Sequence, residues 1–322
     1  MLIAVLAAGY GGFWFFATSR IESGLDARAE ALRQAGYVVE LTGRRVEGFP
    51  FRIKIRHEQA RIATPSGWAL TVPGLEAEAY LHAPDHWVLV APQGLSVNRP
   101  EGGGLSVKGQ VMRASVAGTD KSPWRIVLQG GKLTFTPAPG ARPFSLASAD
   151  LLEIYLRPAP DAPEGMTLLR LEGGRAGEGS VLEAVAGDQV VTGALQARLT
   201  RPTAFRGGDW GSAVRAWAGA GGAAEKVQGL IVAGKTEAKV EGGTLGVGGD
   251  GRLVGALPMQ LKQPGPAITA FAGRALEEAA ANSAAAVAAA RAQGETARIN
   301  LVFQAGVTTL GPVRIGPAPK IG

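Results

Sequence analysis

Glycine or proline closes almost every short run of alternating residues in this chain, and that punctuation most tightly constrains its fold. In Phe49-Pro-Phe-Arg-Ile-Lys-Ile-Arg56, the residues Phe51, Ile53 and Ile55 alternate with Arg52, Lys54 and Arg56. A period of two gives a strand one apolar face and one wet face. Further strands are expected at 37–46, 58–64, 68–73, 75–82, 86–91, 94–97, 105–117, 124–129, 132–136 and 151–157. Pro65, Pro73, Pro84, Pro92, Gly102 to Gly104 and Gly130-Gly131 separate them. With 47 glycines and 20 prolines in 322 residues, short strands joined by turns fit better than a helical bundle. The expected fold class is α+β, mostly antiparallel β, with curved sheets and a few packed helices.

Pro158-Ala-Pro-Asp-Ala-Pro-Glu-Gly165 resists both helix and sheet, so 158–165 is the expected linker between two strand-rich lobes, 20–157 and 166–322. The second lobe offers strands near 167–172, 180–185, 189–200, 227–232, 235–240, 243–247, 251–262, 296–304, 307–310 and 312–315. Two helices interrupt it. One covers about 210–218 behind the potential cap Asp209, and an alanine-rich one runs from Pro266 to Gln293 before Gly294.

The first 18 residues carry no charged side chain. As a helix, Leu2 to Thr18 rises about 25 Å at 1.5 Å per residue, slightly less than a hydrocarbon core of about 30 Å. Leu2, Phe13, Trp14, Phe15 and Phe16 mark residues 1–19 as an expected transmembrane anchor, with aromatics crowded at one end. A cleaved signal peptide and a buried core helix are the alternatives. Ile21, Leu25, Ala29 and Leu32 share one face of a helix that continues from the anchor to Ala35, and Gly36 stops it. No Lys or Arg precedes the apolar run, whereas Arg20, Arg28 and Arg33 follow it. Read alone, that asymmetry leaves the body in the cytoplasm. The true start is therefore expected to lie upstream of Met1 and to supply a basic leader.

The net charge is +6, but the basic residues are interleaved with acids and Arg44-Arg45 is the one basic doublet. A solvated surface is expected rather than a nucleic-acid partner, with weak attraction to anionic headgroups. The absence of cysteine excludes disulfides, thiolate metal sites and a cysteine nucleophile. Pro84 interrupts His82-Ala-Pro-Asp-His86, so the two rings do not form a helical metal pair. The glycine-rich run 241–251 lacks the Gly-Lys-Ser/Thr ending of a phosphate loop and reads as a hairpin. No nucleophile elbow is present, and acidic residues are spread evenly. No catalytic residue, cofactor or metal is expected, and the chain reads as non-enzymatic.

Gly48-Phe-Pro-Phe-Arg52, preceded by an apolar segment and a short helix, resembles the domain of unknown function 2125 family, an uncharacterised alphaproteobacterial family. The likeness continues through Ala83-Pro-Asp-His-Trp-Val-Leu89, Gly243-Thr-Leu-x-Val-x-Gly-Asp-Gly-Arg-Leu-x-Gly255 and Leu310-Gly-Pro-Val-Arg-Ile-Gly-Pro317. The resemblance implies a single-pass protein of the bacterial inner membrane with its body in the periplasm. It implies no catalytic residue. At the level of architecture the chain is also similar to AsmA-type envelope proteins, some of them linked to lipid traffic.

Two functions are expected. In the first, Phe51, Ile53 and Ile55 with Leu133 and Phe135 line a hydrophobic groove that holds a lipid or another apolar ligand. In the second, the chain is a structural or assembly partner in an envelope complex. That these apolar faces close into ordinary core is the alternative to the groove.

Overall fold

The computed structural model describes residues 2–118, 124–160, 163–206, 210–267, 270, 296–311 and 313–321. Helix α1 (Leu2–Gln34) leads into the sheet without a break at residue 19. Trp14, Thr18 and Ala29 of α1 are buried, and Ile21 and Leu25 pack beside Trp14. Their spacings of four, three, four and four place them on one helical face. Among the described residues no helix is long and apolar enough to cross a membrane. The expected transmembrane anchor over 1–19 is therefore corrected: the helix exists, but two residues of its last turns are buried against the body.

The strands form an antiparallel meander once each strand that is broken in two is counted as one. It opens with β1 (Val38–Thr42) and β2 (Arg45–Glu47), which fold back on β3 (Arg52–Arg56) and β4 (Gln59–Ala63). Next come β5 (Ala69–Pro73) with β6 (Glu76–Tyr80), β7 (Ala83–Val90) with β8 (Leu95–Arg99), and β9 (Gly103–Lys108) with β10 (Val111–Ala117). Each of these pairs acts as one long strand broken once. The breaks lie side by side: Glu58 N–H donates to Thr42 O at 2.9 Å, Gly74 N–H to Glu58 O at 2.8 Å, and Gln110 N–H to Gly131 O at 3.0 Å. Such aligned irregularities bend a sheet. They also explain why the single strands expected at 37–46 and 105–117 are two each.

Long unbroken strands follow: β11 (Arg125–Pro137), β12 (Leu146–Pro158), β13 (Gly165–Ala176), β14 (Val191–Leu199) and β15 (Ala224–Ala233). β16 (Thr236–Val240), β17 (Thr244–Val247), β18 (Leu253–Lys262), β19 (Thr296–Gln304), β20 (Val307–Leu310) and β21 (Val313–Pro317) complete the meander. Segment 158–165, expected as the linker between lobes, instead closes the β12–β13 hairpin, with Pro158 paired to Gly165. Hairpin geometry tolerates proline at strand ends, where no ladder donor is needed. The 241–251 run contains the expected tight turn, joining β17 to β18.

Two short helices pack on the sheet. At 180–185, where a strand is expected, the chain instead forms α2 (Val181–Ala186). Ser180 Oγ accepts from Glu183 N–H at 3.1 Å, and the Glu183 carboxylate accepts from Gly179 N–H at 2.7 Å. This capping arrangement satisfies the first helical donors and outweighs the β-branched valines. Helix α3 (Trp210–Gly219) matches its expected position. Residues 265–267 and 270 are helical, as expected for the start of the alanine-rich segment. The remainder of that segment and Asp209 lie outside the described residues.

Candidate functional site

Residues directly opposite in an antiparallel ladder share a face of the sheet. Starting from β3, Ile55 stands opposite Ala77, Ala77 opposite Leu89, Leu89 opposite Ala114, and Ala114 opposite Leu128. The same row continues through Ile154, Leu169, Leu195, Gly229, Val240, Met259 and Ile299. Not one side chain in this row is polar. The row on the other face, from Arg56 through Glu76, Val90, Arg113, Gln129, Glu153 and Arg170, is predominantly charged or polar. The alternation thus makes one apolar face spanning most of the meander.

The polar face is tied across strands. Arg56 Nε meets Glu76 at 3.0 Å, Arg113 Nε donates to Gln129 Oε1 at 2.7 Å, and Gln129 Nε2 donates to the buried Glu153 carboxylate at 2.8 Å. Arg170 approaches Glu153 from the next strand at 3.8 Å. The Lys54 ammonium, bonded to Glu76 at 2.7 Å, holds that carboxyl below its ordinary range. The Glu153 carboxylate, hydrogen-bonded to Tyr155, raises that phenol. These are cross-strand braces with every member partnered, and nothing in them resembles a catalytic pair.

The apolar row is covered at Ile55 and at Val240 and open between them. Ile55 is 1% exposed beneath α1, packed with Ile53 and Trp14. Val240 is 3% exposed in a cluster with Val227 and Leu257, against which Leu195 and Ala197 pack. Between them Leu128, Ile154 and Leu169, mutually opposed on β11, β12 and β13, are 41%, 37% and 40% exposed. The rows beside them are apolar except at Thr167: Trp87, Val116, Ile126, Leu156 and Thr167 form one, and Met112, Gly130, Leu152 and Leu171 the other. Contiguous exposed apolar surface of this kind marks a binding surface more often than chance.

The expected groove residues are placed differently. Ile53 and Ile55 are closed core under α1, and Leu133 and Phe135 are buried in a second cluster with Leu105, Val107 and Ala149. Those four do not line an open groove, because other side chains fill the space against them. Phe51 is exposed, since it stands in the turn before β3 rather than in the strand. The second cluster reaches the open stretch through Leu152 and Leu171, which pack against it. Leu128, Ile154 and Leu169 were missed, although the alternation Leu152-x-Ile154-x-Leu156 was visible within an expected strand.

Of the anchor residues, Trp14 is buried while Phe13, Phe15 and Phe16 are exposed, and the side chain of Leu2 lies outside the described set. His86 Nε2 lies 2.9 Å from Ser115 Oγ and His82 packs on Tyr80, so the two rings have separate neighbours. Among the described residues no group of three His, Asp or Glu side chains could hold a metal ion. A polar hollow of about 400 Å³, lined by Glu225, Lys226, Gln228, Glu241, Gly242, Gly243 and Thr244, lies apart from the apolar row.

A family model described as "Uncharacterized protein conserved in bacteria (DUF2125)" matches residues 14–319. The match begins at Trp14, the residue by which α1 is packed against Ile53 and Ile55. No curated protein and no solved structure matches the chain.

Proposed function

We propose that this chain, which belongs to the bacterial family of uncharacterized conserved proteins DUF2125, is a binding protein for a single hydrocarbon chain, such as the acyl chain of a lipid. The observation that carries the reading is the apolar row, covered at Ile55 and Val240 and open at Leu128, Ile154 and Leu169. From Leu128 to Leu169 the open row crosses two strand-to-strand gaps, or about 10 Å at about 4.8 Å each. One leaflet of hydrocarbon is about 15 Å deep, half of a core of about 30 Å. The open stretch therefore seats a segment of one extended acyl chain.

Magnitudes favour an extended ligand over a small solute. Covering the remaining two-fifths of a Leu or Ile side chain gains on the order of 1 kcal/mol. Three such residues fall well short of the roughly 8 kcal/mol that micromolar binding requires. A ligand must also cover the half-buried rows on either side, which a chain lying along the row does.

Binding, rather than catalysis, is the role this surface supports, and the place we propose for it is the periplasmic side of the bacterial inner membrane. The test is uptake of a fluorescent hexadecanoic acid by the purified full chain. Ile154→Asp is expected to weaken uptake at least tenfold, whereas Leu230→Asp, equally exposed on the polar face, leaves it unchanged. Equal uptake by both variants would sink the proposal. If the native protein takes up no probe but captures an envelope protein that Ile154→Asp loses, the assembly reading replaces it.

A further inference from the structure

Around Trp14 the structure gathers phenylalanines that turn outward. Phe15 is 68% exposed, Phe16 63% and Phe51 70%, and Phe13 and Phe49 are also largely exposed. The cluster is pinned from within. Trp14 sits edge-on to Phe15 at 5.2 Å and to Phe49 at 5.6 Å between ring centres, and its indole N–H donates to Arg52 O. Two separate chain segments, the α1 helix and the turn before β3, therefore present aromatic rings from one rigid base.

We propose that this phenylalanine collar is a seat for the interfacial layer of a lipid bilayer. Three observations choose lipid over a protein partner. First, the exposed large side chains of the collar are all phenylalanine, which sits well at the boundary between headgroups and acyl chains. Second, the helix that carries Phe13, Phe15 and Phe16 has no charged residue in its sequence before Arg20. Third, Arg20 lies about one helical turn beyond Phe16, where a guanidinium meets anionic headgroups. The seat does not depend on the hydrocarbon-binding row: it is built from different residues and faces a surface rather than a single molecule.

Flotation of the full chain with vesicles of phosphatidylethanolamine and phosphatidylglycerol tests the seat. The combined variant Phe15→Ser, Phe16→Ser, Phe51→Ser is expected to float at least tenfold less than the native chain, and a cooperative thermal melt, lowered by no more than the lost Phe15–Trp14 contact, shows that it still folds. A spin label at Phe51→Cys should become more accessible to oxygen and less accessible to a water-soluble nickel chelate when vesicles are added. The same label at Lys239→Cys, on the polar face, should not change. The proposal is overturned if the native chain does not float, if the triple variant floats as well as the native chain, or if the label at 51 stays aqueous on vesicles.

Discussion

The indole N–H of Trp14 donates to the backbone carbonyl of Arg52 at 3.1 Å, joining α1 to the first residue of β3 across 38 positions of sequence. With Ile21 and Leu25 packed beside it, Trp14 holds the helix over Ile53 and Ile55. Trp14→Ala is expected to destabilise the fold by about 3–5 kcal/mol, the usual cost of truncating a buried aromatic. Trp14→Phe keeps much of the packing and loses mainly the hydrogen bond, about 1 kcal/mol. Urea unfolding of the three proteins orders them; equal midpoints would show that α1 does not depend on this contact.

A charge placed in the apolar row should act according to position. Ile53→Asp buries a carboxylate at a site 1% exposed and should cost several kcal/mol. Ile154→Asp meets water and should shift stability by less than about 1 kcal/mol while removing hydrocarbon uptake. Comparable losses of stability in the two variants would mean that Ile154 is covered in solution.

Gly229 stands in the row on β15, opposite Leu195 of β14. A methyl group there would run into the Ala194 carbonyl oxygen and lie 2.9 Å from Leu195 Cα. Gly229→Ala is expected to destabilise by about 1–3 kcal/mol through overpacking. Gly24→Ala, in α1 with open space around it, should instead stabilise by about 1 kcal/mol. Thermal melts of both proteins check the opposite signs.

His57 is buried at the break between β3 and β4, and its Nδ1 has no hydrogen-bond partner. Burial first, and then the Arg44 charge, hold its pKa below the ordinary 6.5, while a hydrogen bond with the Thr42 backbone works the other way. The folded chain therefore binds this proton less readily than the unfolded chain. Its contribution to stability is complete above pH 6.5 and is lost as pH falls through 6.5 toward the folded value. The melting temperature should drop less between pH 7.5 and 5 in His57→Gln, which keeps a donor but does not titrate. Parallel pH profiles would remove His57 from the account.

Placement on the periplasmic side is checked by fusing to the C-terminus a reporter enzyme that is active only after export. Activity is the expected outcome, and a cytoplasmic reporter active at the same position would refute the location.

Much of the sheet was legible because alternation is local. The expected strands 58–64, 68–73, 296–304 and 307–310 correspond to β4, β5, β19 and β20 within a residue or so. Local signals also misled. Three prolines in 158–165 mark a turn equally well as a hairpin end or a linker, and only the Pro158–Gly165 pairing distinguishes them. At 180–185 the Ser180-x-x-Glu183 cap was a readable helix signal that the β-branched residues masked.

The sequence by itself determined that this chain builds antiparallel strands with one apolar and one polar face, because a period of two leaves no other arrangement. It did not determine which part of the apolar face is covered. Ile55 and Ile154 occupy the same kind of position, each beside a charged residue in an alternating strand. Ile55 is nonetheless sealed and Ile154 open to solvent. The difference comes from α1, which reaches Ile55 through Trp14 and is not part of the cluster beside Ile154. Coverage is a contact between segments distant in sequence, so it is settled only when the chain has folded.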